Sequence, residues 1–348
     1  GDHRDLHVRS RRQRQMCIRD SAYNETGMAY DTYLLNHDEL GYYRFSEGVP
    51  VIQEEYIVTK GAKNQWDFGY GANYENKLFL GASIGVSTIR KEVSRTYTEK
   101  FEDNNQEIQS IELRDTEITR GTGINVKAGL IYKINDIVRV GASAQSPTYY
   151  RLREEYEASL ESKFNFIDFY DTLGNVTTEY GNSYTSNLVP YNFNYTLVSP
   201  YILNSGISIF FGKKGFVSAD IEYVGYDRMR LNSDTDNFQG DNQTIQNIYK
   251  RSINYRLGGE FRHQNMRIRG GYAYYGDPVR SGVGNIDLSR QFITGGIGLK
   301  FETYFLDLGV VYSTQNVGNT RYSLSGTEPT IVSKLNNTNI VFTWGTNF

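Results

Sequence analysis

Residues 64–86 read NQWDFGYGANYENKLFLGASIGV. Trp66, Phe68, Tyr70, Ala72 and Tyr74 fall on one side of an extended chain. Asp67, Gly69, Gly71 and Asn73 fall on the other. After Glu75–Lys77, Leu78, Leu80, Ala82, Ile84 and Val86 take the apolar side again, against Gly81, Ser83 and Gly85. Successive side chains of a strand point to opposite faces. The stretch therefore predicts two antiparallel strands joined by a tight turn, each apolar on one face.

The same period recurs along the chain. Ile124, Val126, Ala128 and Leu130 oppose Asn125, Lys127 and Gly129. Val217, Ala219, Ile221 and Tyr223 oppose Ser218, Asp220 and Glu222. Ile253, Tyr255, Leu257 and Phe261 oppose Asn254, Arg256, Glu260 and Arg262, and Ile268, Tyr272 and Tyr274 follow Arg267 and Arg269. Leu306, Leu308 and Val310 oppose Asp307 and Gly309. Many of these runs reach about ten residues, the length of a tilted membrane strand and longer than the five or six usual in water. Aromatic residues near segment ends (Trp66, Tyr74, Phe261, Tyr304, Trp344) suit an interfacial girdle. Short turns such as 75–77, 213–215 and 263–265 alternate with long polar loops near 101–107, 165–183, 232–244, 282–289 and 325–329. Short turns on one rim and long loops on the other predict an all-β fold, an antiparallel transmembrane β-barrel of the outer-membrane type.

About eleven strands are readable: 64–75, 77–100, 107–133, 137–163, 184–212, 216–232, 245–262, 266–281, 290–301, 304–323 and 330–348. Single-chain bacterial barrels have even strand numbers. An odd number of strands, one, three or five, is expected to precede residue 64. Residues 22–63, with Gly41, Gly48, Pro50 and Gly61 as breakers, read as an irregular extracellular insertion. Residues 64–348 are the C-terminal part of the barrel. Phe348, on the apolar face of the last strand, resembles a terminal aromatic signal of such barrels, which places the C-terminus in the periplasm.

Composition narrows the alternatives. Mean hydropathy is −0.55, and no apolar run is long enough for a membrane helix. Tyr 29, Phe 18 and Gly 34 are too many for a solvating disordered chain. Residues 1–21, GDHRDLHVRSRRQRQMCIRDS, hold six Arg, the single Cys and two of the four His. They lack the apolar core of a signal peptide and resemble the translation of a sequencing adapter, so they are read as non-native and set aside. Without them Lys+Arg falls from 37 to 31 and Asp+Glu from 40 to 37, so the net charge moves from −3 to −6. That charge disfavours nucleic acid as a partner.

The polar face carries the candidate ligand residues. Arg256, Arg262, Arg267 and Arg269 stand on consecutive strands, where they would meet a ligand carboxylate through bidentate hydrogen bonds, with Arg139 and Lys127 as further cations on that face. The competing reading is structural: interleaved charges of both signs bracing the wall as ion pairs. Ser146–Pro147 falls inside a strand, and proline donates no ladder hydrogen bond, so a bulge or bend is expected there. The loop 232–242 holds Asp234, Asp236 and Asp241 but has Ile245 where a calcium loop needs Glu, so it reads as a solvated loop. His37 and His263 are the histidines that remain, and neither has a nucleophile and orienting group in view. No P-loop, zinc spacing or GxSxG occurs. No enzyme, no cofactor and no metal site is expected.

Three stretches carry a family resemblance: Gly61–Val86, Ile137–Tyr150 (IVRVGASAQSPTYY) and Gly215–Arg230 (GFVSADIEYVGYDRMR). They resemble the FadL-type outer-membrane transporters of hydrophobic compounds, over most of residues 61–348. The resemblance implies a fourteen-stranded barrel with an N-terminal hatch, three strands beyond the eleven readable. The hatch, and an early strand whose kink opens a lateral exit, have no counterpart in this sequence, and no family ligand residue maps onto it. It further implies passive transport of hydrophobic small molecules, most plausibly long-chain fatty acids, in the outer membrane of a Gram-negative cell. Expected surroundings are outer-membrane lipid and lipopolysaccharide, and the expected state is a monomer. Aromatic residues of the long loop (Phe164, Phe166, Phe169, Tyr170) would capture the cargo. Two alternatives remain: a barrel that shuttles or anchors surface proteins in secretion, and a general porin.

Overall fold

The computed structural model describes residues 25–38, 41–44, 51–102, 106–170, 175–280, 286–320 and 330–346. The adapter-like 1–21 segment, Phe348 and residues 281–285 and 321–329 lie outside the described residues. The chain opens with α1 (Glu25–Asp31), β1 (Leu35–Asp38) and β2 (Gly41–Arg44). Long strands follow: β3 (Val51–Tyr74), β4 (Leu78–Phe101) and β5 (Ile108–Lys133). Next come β6 (Val138–Gln145), β7 (Tyr149–Phe164), β8 (Phe166–Tyr170), β9 (Val176–Tyr180), β10 (Ser183–Asn187), β11 (Tyr191–Val198) and β12 (Ile202–Phe210). The remainder is β13 (Gly215–Val224), β14 (Arg230–Asn232), α2 (Gln239–Ile248), β15 (Ser252–His263), β16 (Met266–Tyr275), β17 (Arg290–Lys300), β18 (Tyr304–Thr320) and β19 (Thr330–Thr346).

Among the described residues fifteen strands form one sheet, and its registers are antiparallel. From β5 the order runs β6, β12, β13, β15, β16, β17, β18, β19, with β4 and then β3 on the other side. Among the described residues β3 pairs only with β4 and β19 only with β18. The fold class is the all-β, antiparallel one that the alternation predicts. The fifteen strands fall on the eleven spans read from sequence, because β6 with β7, β10 with β11 and β12, and β13 with β14 each occupy one span.

Three expectations need correction. Residues 51–63, assigned to an irregular insertion, are regular strand, since β3 starts at Val51. An isolated glycine such as Gly61 does not end a strand that pairs with a neighbour, here β4. Residues 239–248, read as loop and strand, form α2. Asp241 in its first turn complements the helix dipole. The Asn242 side chain clasps Leu231, accepting from its N–H and donating to its carbonyl, both at 2.8 Å. The 165–183 loop contains the β8–β9 hairpin, whose register pairs Phe166 with Tyr180.

The chain divides into two compact units. Unit 1 comprises residues up to 64, 88–121 and 152–194. It has an ordinary core: Met28, Ala158, Leu160 and Leu188 in one cluster, and Phe101, Ile108, Phe164 and Ile167 in another. Tyr33 packs edge-on against Phe169 and Tyr184. Ser162 donates to the Thr32 carbonyl at 2.7 Å, tying β7 to the residue after α1. Phe164, expected in an open capture loop, is 1% exposed, and Phe169 packs on its cluster. An apolar side chain in a water-facing unit is drawn into the core.

Unit 2 comprises 65–87, 122–151 and 195–348. Its burial is inverted. Ile124 and Val126 are each 52% exposed, while Asn125 between them is 2% exposed. Ile253, Tyr255 and Leu257 are exposed, and Ser252 and Asn254 are buried. Burying an Ile, Leu or Phe side chain contributes about 1.5–3 kcal/mol. Half-exposed in water, some twenty such residues would forgo about 1 kcal/mol each, which exceeds the net stability of about 5–15 kcal/mol of a typical domain. An apolar solvent removes that cost.

Candidate functional site

The polar face of unit 2 is where the sequence placed its ligand candidates, and three linked groups organise it. In the first, Lys127 on β5 bonds Asp67 on β3 at 2.8 Å. Gln65 donates to the same carboxylate at 2.9 Å and accepts from Ser87 at 3.1 Å. Gly85 makes room for them: a Cβ there would fall 2.7 Å from both Asn125 Oδ1 and Gln65 Nε2. In the second group, Arg256 on β15 meets Glu222 on β13 at 3.1 Å and Asn204 on β12 at 2.9 Å. Asn254 adds a 2.8 Å bond to Glu222. In the third, Glu260, whose side chain is 7% exposed, takes Arg262 at 2.5 Å and Arg269 at 2.6 Å. Arg269 also reaches Asp307 on β18 at 2.6 Å.

The six candidate cations thus separate. Lys127, Arg256, Arg262 and Arg269 are held by carboxylates of the wall, as the bracing reading expects. Arg139 stands over the Phe210 ring, 4.5 Å from its centroid, a cation–π contact. Arg267 makes no ion pair with any described residue. The four arginines therefore do not converge as one carboxylate clamp. Their alternation was readable, but their partners were not: Glu222 lies on β13, paired with β15, while Asn204 on β12 and Asp307 on β18 each lie one strand further away.

Ser146–Pro147 falls between β6, which ends at Gln145, and β7, which begins at Tyr149. A second break went unread: Ser199–Pro200 parts β11 from β12. The two are bonded together. The Thr148 N–H donates to Ser199 Oγ at 2.8 Å, and the Ser199 N–H donates to the Thr148 carbonyl at 3.0 Å. Ser146 Oγ accepts from the Val126 N–H at 3.0 Å and the Ser146 N–H donates to the Val126 carbonyl at 2.9 Å, so the pair just before the proline stays bonded. A paired Ser-Pro search would have shown both sites.

A groove of about 940 Å³ in unit 2 is lined on the polar side by Lys127, Arg139, Ser143, Asn204 and Asp220. On the apolar face, Ala72, Ala82, Ala128, Ala142 and Ala144 thin the wall beside Tyr70 and Leu130 around about 670 Å³. Among the described residues no group of three or more His, Cys, Asp and Glu could hold a metal ion.

No family model matches the chain, and no curated protein matches it. Solved structures do. A Pseudomonas aeruginosa FadL homologue aligns with TM-score 0.45 and 11% identity, over 84% of this chain and 88% of that one. The P. putida toluene transporter TodX aligns with TM-score 0.43 and 13% identity, over 87% and 91%. The Ralstonia pickettii toluene transporter TbuX aligns with TM-score 0.40 and 14% identity, over 89% and 83%. These are remote likenesses, and the reading of the fold rests on the chain's own sheet and burial.

Proposed function

We propose that this chain is an integral outer-membrane β-barrel protein that passes hydrophobic compounds, most plausibly long-chain fatty acids, by passive diffusion. The observation that carries the reading is the inversion in unit 2: apolar faces outward and half-exposed, polar faces held by their own hydrogen bonds and ion pairs. Lipid satisfies the first, and a wet or ligand-filled interior tolerates the second. The apolar helix route is closed to the described residues, which include no helix long and apolar enough to span a membrane. The resemblance of Gly61–Val86, Ile137–Tyr150 and Gly215–Arg230 supplies the substrate class.

The wall chemistry fits an apolar cargo. Lys127, Arg256, Arg262 and Arg269 are already matched by carboxylates, so they present a paired, nearly neutral lining rather than an ion-selective ring. The test is uptake of radiolabelled oleate by Gram-negative cells lacking their own fatty-acid channel and expressing this protein in the outer membrane. Uptake above the empty-vector level supports the reading. Large open conductance in planar bilayers without oleate uptake replaces it with a porin. Co-purification of a surface protein without uptake replaces it with a shuttle or anchor.

A further inference from the structure

Three tight turns of unit 2 bring unmatched positive charge together. Lys213 and Lys214 lie between β12 and β13, His263 ends β15 before the turn to β16, and Lys300 ends β17. With Arg262 and Arg267 they line a cavity of about 420 Å³. The turns are tied by backbone bonds: the Arg262 N–H donates to the Lys214 carbonyl at 2.7 Å, and the Lys300 N–H to the Asn265 carbonyl at 2.8 Å.

The charge there is unbalanced. Arg262 and Arg267 are direct partners in the β15–β16 register. Like charges directly opposite in an antiparallel pair destabilise it. The two carboxylates of the third group are committed: Glu260 to Arg262 and Arg269, and Asp307 to Arg269. Lys213, Lys214, Arg267 and Lys300 form no ion pair with any described residue. Opposite Arg267 in the next register stands Gly298, where an added Cβ would collide with Asp307 Oδ1 and lie 3.6 Å from the Arg267 Cβ, so the Asp307 carboxylate that Arg269 holds leans into that space. Exposed Phe211, Phe261, Met266 and Leu299 occupy the same strand ends on the apolar face.

We propose that this turn cluster binds an oxyanion, the phosphate or carboxylate head group of an anionic amphiphile, with Arg267 as the bidentate ligand and the lysines as surrounding point charges. Arginine matches two oxyanion oxygens with its planar fork, and lysine supplies charge without fixed geometry. Those apolar residues stand on the other face of the same strand ends, so a hydrocarbon tail would reach them over the turn rim. The site is independent of which compound the protein transports.

The test is calorimetric titration of the full chain in an uncharged detergent, with dodecyl phosphate and with inorganic phosphate, each corrected for titration into empty micelles. The expected result is saturable dodecyl phosphate binding that weakens with added salt. The double variant Arg267→Gln/Lys300→Gln should weaken it at least about tenfold, as charge-assisted bonds are lost. Lys213→Gln/Lys214→Gln, confined to an exposed turn, gives a second reading if the first variant fails to fold, and Lys91→Gln in unit 1 should change nothing. Binding of dodecyl phosphate alone assigns an amphiphile head group, and equal binding of inorganic phosphate assigns a free oxyanion at the same residues. No saturable binding, or wild-type affinity in both double variants, overturns the proposal.

Discussion

Units 1 and 2 share strands yet obey opposite solvents. β4 carries no charge over residues 78–87, then Arg90, Lys91, Glu92, Arg95, Glu99 and Lys100 before it ends. β5 makes the reverse change: Glu112, Arg114, Asp115, Glu117 and Arg120 precede the Ile124–Leu130 alternation. The divisions at 87/88 and 121/122 fall at those changes in composition. In unit 1 the apolar side chains are inside and the ion pairs accompany an ordinary core, as with Arg95–Asp115 at 2.9 Å. In unit 2 the apolar side chains are outside and the ion pairs line the polar face. One backbone ladder serves both, because strand hydrogen bonds are indifferent to which face is wet. What differs is where hydrocarbon finds a partner.

The largest expected effect tests the water-type unit. Phe164→Ala should cost about 3–5 kcal/mol, because it empties a core site that is 1% exposed. Denaturant unfolding, followed by protease sensitivity mapped to unit 1, measures it. Unchanged protection would break the comparison on that side.

Leu257→Arg tests the other solvent. In water a substitution at a residue 55% exposed should be nearly neutral. In lipid it should cost about 2–4 kcal/mol near the bilayer midplane. Folding into phosphatidylcholine vesicles under a urea gradient separates the two values, and a neutral result there would remove the lipid assignment of the apolar face.

Glu260→Gln sharpens the account of the polar face. It leaves Arg262 and Arg269 without their shared carboxylate, for a loss of about 1–3 kcal/mol. Pairing with Glu260→Gln/Arg269→Gln in a double-mutant cycle isolates the coupling. Additive costs would mean the network is incidental.

The smallest effect is in pH. Burial, with Asp115 and Glu25 nearby, pushes the Tyr156 hydroxyl in unit 1 up to about 12. An unfolded tyrosine ionises near 10. The folded state thus holds its proton where the unfolded state has lost it, so this contribution to stability is complete below pH 10 and declines from 10 to 12. Tyr156→Phe should flatten that decline in alkaline unfolding curves. Curves that fall in parallel would sink the assignment.

Much of the architecture could be read from residues. Period-2 alternation is a local property, so Trp66–Tyr74, Ile124–Leu130 and Ile253–Phe261 announced their strands and faces unaided. Tight turns at 75–77 and 263–265 announced themselves through sharp breaks in the period. Val51–Lys63 was misread because this half of β3 is largely exposed on both faces, so no apolar alternation marks it. Gln239–Ile248 was misread because α2 is a short, mostly polar helix with only Ile245 and Ile248 as large apolar residues, held by Asn242 on Leu231. Phe164 was misread as a capture residue because a loop aromatic and a core aromatic have the same sequence signature.

The sequence by itself determined that the chain is an antiparallel β-protein and which residues share each face. Each of these depends on one backbone's geometry and chemistry over a few residues. Only the tertiary structure decided that Arg262 and Arg269 share Glu260 while Arg267 stands unpaired beside Lys300. It alone decided that Ser199 answers Thr148 across two strand breaks. Strand order brings together residues tens of positions apart, and the charge on a side chain carries no information about which distant carboxylate will neutralise it.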